Sequence, residues 1–426
     1  MRILFCPAHY VYDDTREGSE LAWSYNIADR ISSIFPDSVV VTGRSTVGSR
    51  RYRIVEVTPG ETRLNFGLRH ALAFNTRYTL AAFRGLRSDR FDIVHHVLPF
   101  ALGRTYNFAV LRHGSRTPFV IGPVQSPLTV RDTDVEPTDL RSYGSQDESR
   151  LASLERLAGR TFGAFLSAVA APLLLSRVSA RTLSGAAAVV AVNEQTRVGL
   201  IEIGVCPERV VVISPGVDSQ RFQPATSSAT DPAGVVVLSV SNLVNRKNVD
   251  VIIQAFAKVL TAAPLTRLRI VGDGPQRAAL DNLARALGVR ESITFTGSIP
   301  HATVHEEYRR ADVFVNASAA EGFSTTCLEA LASGLPVLST KVGGFADVVE
   351  DHRNGYLIDR ADSAELAAKL LWLVENPTSV AQLSIRARAI AERDFDWDTA
   401  VIPKYLDLYG HVSRERAPRE ASRRWN

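Results

Sequence analysis

Two glutamates, Glu321 and Glu329, stand eight residues apart, and two adjacent cations, Arg246 and Lys247, precede them in the chain. Carboxylates accept hydrogen bonds from hydroxyls. A guanidinium offers a planar fork and an ammonium a mobile point charge, and together they can neutralise a diphosphate. Eight residues of helix span roughly 12 Å, a separation at which two carboxylates could hold the two ends of a nucleotide sugar, one at the sugar and one at the ribose. The loop Glu321-Gly-Phe-Ser-Thr325 leads into a helical pattern, and N–H groups at a helix start bind anions. Gly272 and Gly274 in IVGDGP (270–275), with Gly343 and Gly344, are positions where a ligand could approach the backbone closely. Each feature also has a plain reading: surface glutamates, a solvated basic turn, ordinary strand-to-helix turns.

The elements that must position these groups follow from periodicity. Residues 312–344 read as strand, loop, helix, turn and strand, a compact βαβ unit, with the carboxylates near the carboxyl end of a parallel strand. Apolar runs without alternation recur along the chain, at 2–6, 39–42, 54–57, 91–97, 119–124, 187–192 and 210–213. They resume at 235–240, 268–271, 293–296, 313–317, 336–339 and 356–358. Such runs suit strands buried on both faces, as in parallel sheets flanked by helices. Helical patterns fall between them at 18–34, 68–87, 249–261, 276–287, 301–310, 325–332, 346–350, 363–374 and 380–393, with a last helix at 399–409. The expected fold class is α/β: two tandem Rossmann-like, doubly wound domains facing an interdomain cleft.

A chain of 426 residues accommodates two such domains. The polar stretch 223–234 has linker composition, so one domain is expected at 1–222 and a second at 234–398, with a C-terminal helix at about 399–412 packing back on the first; the resemblance set out below implies that the first binds the acceptor and the second the donor. Residues 129–150 read as a polar surface excursion. Net charge of +4 suits an anionic ligand or an acidic membrane surface and gives no nucleic-acid signature. Three scattered cysteines exclude a disulfide framework and point to a reducing, cytoplasmic location. The most apolar segment, 161–175, is too short to span a bilayer. It reads as a buried helix, with contact at the inner membrane face as the alternative.

The longer matches carry a resemblance. VSNLVNRKNVDVIIQAF (240–256), IVGDGP (270–275), the Glu-x7-Glu of Glu321 and Glu329, GLPVLSTKVGG (334–344) and NGYLID (354–359), with ISPGVDSQRF (213–222) before them, resemble the retaining nucleotide-sugar glycosyltransferases of family 4, which have the two-domain GT-B fold. FDIVHH (91–96) and VVAVNEQTR (189–197) match more loosely. The resemblance implies that Glu329 holds the donor ribose and Glu321 contacts a sugar hydroxyl near the reacting carbon. Backbone amides of Gly322, Phe323 and Ser324 would contact sugar or phosphates, and Lys247 would bind the diphosphate as it leaves. Gly18 would let the first loop approach the same phosphates. Two positions depart from the pattern. Asn242 stands where the family commonly has Arg, a charge Arg246 could supply, and Gln125 follows 119–124 where many members have His.

The expected activity is transfer of a sugar from a UDP- or GDP-sugar to a hydroxyl of a lipid, polysaccharide or small-molecule acceptor, with retention of configuration. The resemblance implies no metal and no cofactor beyond the nucleotide-sugar co-substrate. Asp132, Asp134, Asp394 and Asp396 look superficially like metal-ligating pairs but lack supporting ligands. Two other readings are a nucleotide-sugar epimerase on the same fold and a non-catalytic sugar-nucleotide or carbohydrate-binding protein.

Overall fold

The computed structural model of the chain describes residues 1–8, 11–12, 19–48, 50–57, 68–88, 90–97, 117–125, 179–225 and 234–414. Gly18, the polar stretch 129–150 with Asp132 and Asp134, and the apolar segment 161–175 lie outside them. The chain forms two compact units, Met1–Ser214 with Ile402–Asn426, and Pro215–Val401.

Among the described residues the first unit holds nine strands: β1 (Ile3–Phe5), β2 (Val11–Tyr12), β3 (Val39–Thr42), β4 (Arg44–Ser45), β5 (Arg53–Glu56), β6 (Ile93–His96), β7 (Phe119–Val124), β8 (Ala188–Ala191) and β9 (Val210–Val212). Seven form one parallel sheet in the order β5-β3-β1-β6-β7-β8-β9, while β2 and β4 pair as a small ribbon that the apolar pattern did not signal. Strands β1, β3, β6, β7 and β8 are buried along their whole length, the environment expected of apolar runs that do not alternate. Helices Ser19–Ile34 and Leu68–Ser88 belong to this unit, as does Ile402–Arg414, which returns after the second unit and runs past the expected end at 409–412.

Among the described residues the second unit holds six strands: β10 (Val236–Val240), β11 (Arg267–Val271), β12 (Ile293–Gly297), β13 (Val313–Asn316), β14 (Val337–Thr340) and β15 (Gly355–Ile358). They form a parallel sheet in the order β12-β11-β10-β13-β14-β15. From β10 the chain winds outward through β11 and β12, then returns to pair β13 with β10 and winds the other way. The strand order therefore reverses between β10 and β13, the topological switch point at which open α/β sheets leave a crevice at their carboxyl ends. Helices Val249–Ala262 and Ser363–Glu375 pack together and share one apolar core with the sheet, through Ile252, Phe256, Leu366 and Leu370.

Two expectations are corrected. The expected boundaries end the first domain at 222 and run the second from 234 to 398, yet residues 215–222 belong with the second unit. Val217 bridges Asp396 in parallel register: its N–H donates to the Phe395 carbonyl (2.8 Å) and its own carbonyl accepts from the Trp397 N–H (3.1 Å). These contacts also carry the second unit to Val401. The helix expected over 301–310 forms only over His305–Arg309. Gly297, with φ of +73°, ends β12, and residues 298–304 make loop and turn that place His301 ahead of the helix.

Candidate functional site

Loops leaving β10 and β13, the two strands that flank the switch point, converge on one charged cluster. After β10 the chain makes a tight 3-10 turn, Asn245–Lys247, and Asn248 adopts the left-handed conformation (φ 47°, ψ 43°) before helix Val249–Ala262 begins. Asparagine tolerates that conformation better than most side chains. Here its side-chain Nδ2 donates to the Ala317 carbonyl (2.9 Å), while the Ala319 N–H donates to the Arg246 carbonyl (2.8 Å). Two hydrogen bonds thus latch the basic turn to the loop after β13.

The latch brings Arg246, Lys247 and Glu321 together. Lys247 Nζ donates to Glu321 Oε1, and Ser318 Oγ donates to the same oxygen (3.0 Å). Arg246 Nη1 lies 3.6 Å from Glu321 Oε2 and donates to the Ala320 carbonyl (3.2 Å). Burial of the Lys247 ammonium pushes its pKa below that of an ordinary lysine, and the adjacent Glu321 carboxylate only partly offsets this. Two cations and one anion leave a net charge of +1. An anionic ligand arriving here would compete with Glu321 for Lys247 and find a partly desolvated cation, where electrostatic interactions exceed their strength in water.

The paired glycines shape this loop. Gly343 has φ of +44°, and a Cβ there would overlap the carbonyl of Glu321; one on Gly344 would lie 2.8 Å from Phe323 Cα. The turn after β14 therefore packs directly beneath the 321–323 backbone. Gly272 (φ +129°) and Gly274 (φ +157°) do the same between the loops after β10 and β11. A Cβ on the first would overlap the Ser241 carbonyl, and one on the second would lie 2.5 Å from that of Leu243. The sequence suggested that these glycines admit a ligand. The partner that they admit is the neighbouring loop, which is tied in by Leu243 N–H to Asp273 O (2.9 Å) and Gln276 N–H to Leu243 O (3.0 Å).

Phe323 is buried, so its ring belongs to the core and only its main chain could serve a ligand. Ser324 is the N-cap of helix Thr325–Ala332: its Oγ accepts from the Cys327 N–H (3.3 Å). Gly322 is partly exposed beside the cluster, and Asn242 is exposed on the loop after β10.

Glu329, one turn from the end of that helix, enters a second network. Only 4% of the residue is exposed. Tyr308 OH donates to its Oε2 (2.8 Å), and His301 Nε2 lies 2.8 Å from its Oε1. Burial and the neighbouring carboxylate hold the Tyr308 phenol well above its ordinary pKa, so it remains a donor. Phe222 packs edge-on to Tyr308 (5.6 Å between centroids) and tilted against His301 (6.0 Å). Sequence reasoning missed Tyr308 and His301. The one available signal was an aromatic residue with a polar tip on the helical pattern before β13, and nothing local announced His301.

In the first unit, His95, the next-to-last residue of β6, is fully buried, and burial depresses its pKa to about 3. Its Nε2 meets the Gly122 carbonyl (2.9 Å), which can only accept, so that nitrogen carries the proton. Its Nδ1 then accepts from Tyr409 OH (2.6 Å). A neutral imidazole so engaged ties helix Ile402–Arg414 to the sheet. Gln125 follows β7 and is partly buried. Asp396 is likewise occupied: Ser219 Oγ (2.6 Å) and Thr399 Oγ1 (3.0 Å) donate to its carboxylate.

A family model described as "Glycosyl transferases group 1" matches residues 225–390, and one described as "Glycosyl transferase 4-like domain" matches residues 36–216. The chain is similar to the D-inositol 3-phosphate glycosyltransferase of Rhodococcus jostii, 31% identical over 243 residues, which cover 52% of this chain and 54% of that protein. It is also similar to the GDP-mannose-dependent alpha-(1-6)-phosphatidylinositol monomannoside mannosyltransferase of Mycolicibacterium smegmatis, 32% identical over 201 residues, covering 44% and 53% respectively. The chain thus spans about half the length of the curated relatives it matches. Among solved structures, that of Anabaena HepE in complex with UDP and glucose superposes with a TM-score of 0.62 at 20% identity, covering 96% of this chain and 99% of the other. At that identity the likeness is one of fold.

Proposed function

The chain belongs to the family 4 glycosyltransferases with the GT-B fold, and on that premise we propose that it transfers a sugar from a UDP- or GDP-sugar to an acceptor hydroxyl with retention of anomeric configuration. The observation that carries this reading is the meeting of Arg246, Lys247 and Glu321 at the switch point of the second sheet. In the reaction the bond from the anomeric carbon to the diphosphate oxygen breaks, and its electron pair leaves with the nucleoside diphosphate. An acceptor oxygen bonds to the same carbon and gives its proton to the departing phosphate oxygen. Positive charge grows on the sugar carbon and negative charge on the departing phosphate. Lys247 and Arg246 stabilise the phosphate, Glu321 faces the sugar, and Gly322, Phe323 and Ser324 lend main-chain groups at the helix start. Preorganised cations of this kind can stabilise a leaving diphosphate without a divalent ion. Glu329 takes the ribose.

The names of the relatives support the choice of acceptors for a first assay: an inositol phosphate and a phosphatidylinositol mannoside, each with UDP- and GDP-linked sugars. Turnover of one donor–acceptor pair is the expected result. Lys247→Ala should lower kcat by about 100-fold or more, the scale of losing one charge-stabilising donor, while the protein stays folded by circular dichroism. Near-normal turnover in that variant would remove Lys247 from the mechanism. Conversion of the donor alone into another sugar nucleotide would point to an epimerase instead.

A further inference from the structure

The inference rests on the reading of Glu329 as the group that holds the donor ribose. We propose that His301 is a positioning residue that orients the Glu329 carboxylate toward a vicinal diol, so that the site selects a ribonucleotide over its 2′-deoxy counterpart.

The hydrogen-bond chemistry fixes each proton. Glu329 as a carboxylate only accepts, so His301 Nε2, 2.8 Å from Oε1, carries a hydrogen. On the far side of the ring, Arg221 Nη1 lies 3.4 Å from His301 Nδ1, and Arg221 Nη2 donates to the His301 carbonyl. A guanidinium only donates, so Nδ1 must present its lone pair. Arg221 therefore selects the neutral Nε2–H tautomer, the one form that can serve both neighbours. Tyr308 OH supplies the second donor, to Oε2.

A carboxylate has acceptor positions for about four hydrogen bonds, two on each oxygen. His301 and Tyr308 take one on each and fix the plane of the group, leaving one acceptor direction per oxygen. Two neighbouring hydroxyls match that arrangement, because each can donate to its own oxygen. The site is otherwise shut: Glu329 is 4% exposed, and Phe222 packs on both His301 and Tyr308. His301 retains 26% side-chain exposure, so of the two groups holding the carboxylate it is the one partly open to solvent. Arg221 and Phe222 come from the segment after Pro215, so the chain entering the second unit braces the carboxylate that would read the ribose.

The test is calorimetric titration of the full chain with UDP, GDP and their 2′-deoxy forms. The wild type should prefer one ribonucleotide over its deoxy form by about tenfold or more, the scale of a hydrogen bond to a charged group. In His301→Ala that ratio should fall toward one, with affinity for the deoxy form little changed. Arg221→Ala should move it the same way. His301→Gln, whose amide can still donate to Glu329, should restore most of the preference. Equal weakening of both forms in His301→Ala, or a lowered melting point with the ratio intact, would mean a merely structural histidine and overturn the proposal. A wild type that binds UDP or GDP without preferring the ribo form overturns it too, yet leaves the transferase reading standing. A wild type that binds neither nucleotide overturns both.

Discussion

Lys247 is placed where a lysine is least comfortable and most useful. Burial outweighs its pairing with Glu321, so the ammonium loses its proton at a lower pH than a free lysine. Arg246 also faces Glu321, 3.6 Å away. The sign follows directly. A cation with a depressed pKa is present below that pKa and lost above it, so turnover should fall on the alkaline side, earlier than for an ordinary lysine. By linkage, the unfolded chain binds the extra proton, so this group costs stability that is recovered as pH rises. In Lys247→Arg, if active, the alkaline limb should move to higher pH, since guanidinium does not titrate there; a limb that stays in place would assign it to another group. Lys247 and Glu321 were legible as candidates because their residue types suit a diphosphate and a sugar hydroxyl, but their contact with each other was not. His301 and Tyr308 were not, because their meeting with Glu329 exists only once β12, the turn after it and helix Thr325–Ala332 have packed.

At the level of elements, the strands were readable because burial on both faces leaves an apolar run that needs no partner to be recognised. The glycines were visible, but not what packs against them. Sequence shows that a side chain is absent, and only the packed loops show what fills the space. Gly272 and Gly288 separate the two uses. Both have positive φ, +129° and +72°, but a Cβ on Gly272 would overlap the Ser241 carbonyl, while nothing lies within 4 Å of one on Gly288. Gly288→Ala should cost about 1 kcal/mol, the strain of a left-handed alanine. Gly272→Ala should cost about 3 kcal/mol or more, since loop backbones must also separate, and it should displace the basic turn that follows Ser241. Urea denaturation with matched m-values checks the pair. Equal costs would show that the loops are not held against each other.

At the level of the molecule, the division into units makes its own claim. The second unit begins and ends in the same place: Val217 bridges Asp396, Ser219 donates to the Asp396 carboxylate, and Arg388 Nη1 donates to the carbonyls of Ser219 (3.0 Å) and Phe222 (2.6 Å). Composition hid this boundary, because the linker-like stretch after 222 is more conspicuous than the hydrogen bonds that hold 215–222 to 395–401. The unit has its own sheet and its own apolar core, and both the Lys247–Glu321 cluster and the Glu329 network lie within it. A fragment of residues 215–401 should therefore unfold in one cooperative transition. It should also be stabilised by the nucleoside diphosphate that stabilises the full chain, since a ligand bound only to the folded state raises its melting point. Removing 215–222 should lower that melting point and abolish the nucleotide effect, because Arg221 and Phe222 go with it. A cooperative fragment that ignores UDP and GDP, set against a full chain that binds one of them, would move part of the nucleotide site onto the first unit. Non-cooperative melting would mean that the second unit needs the first to fold.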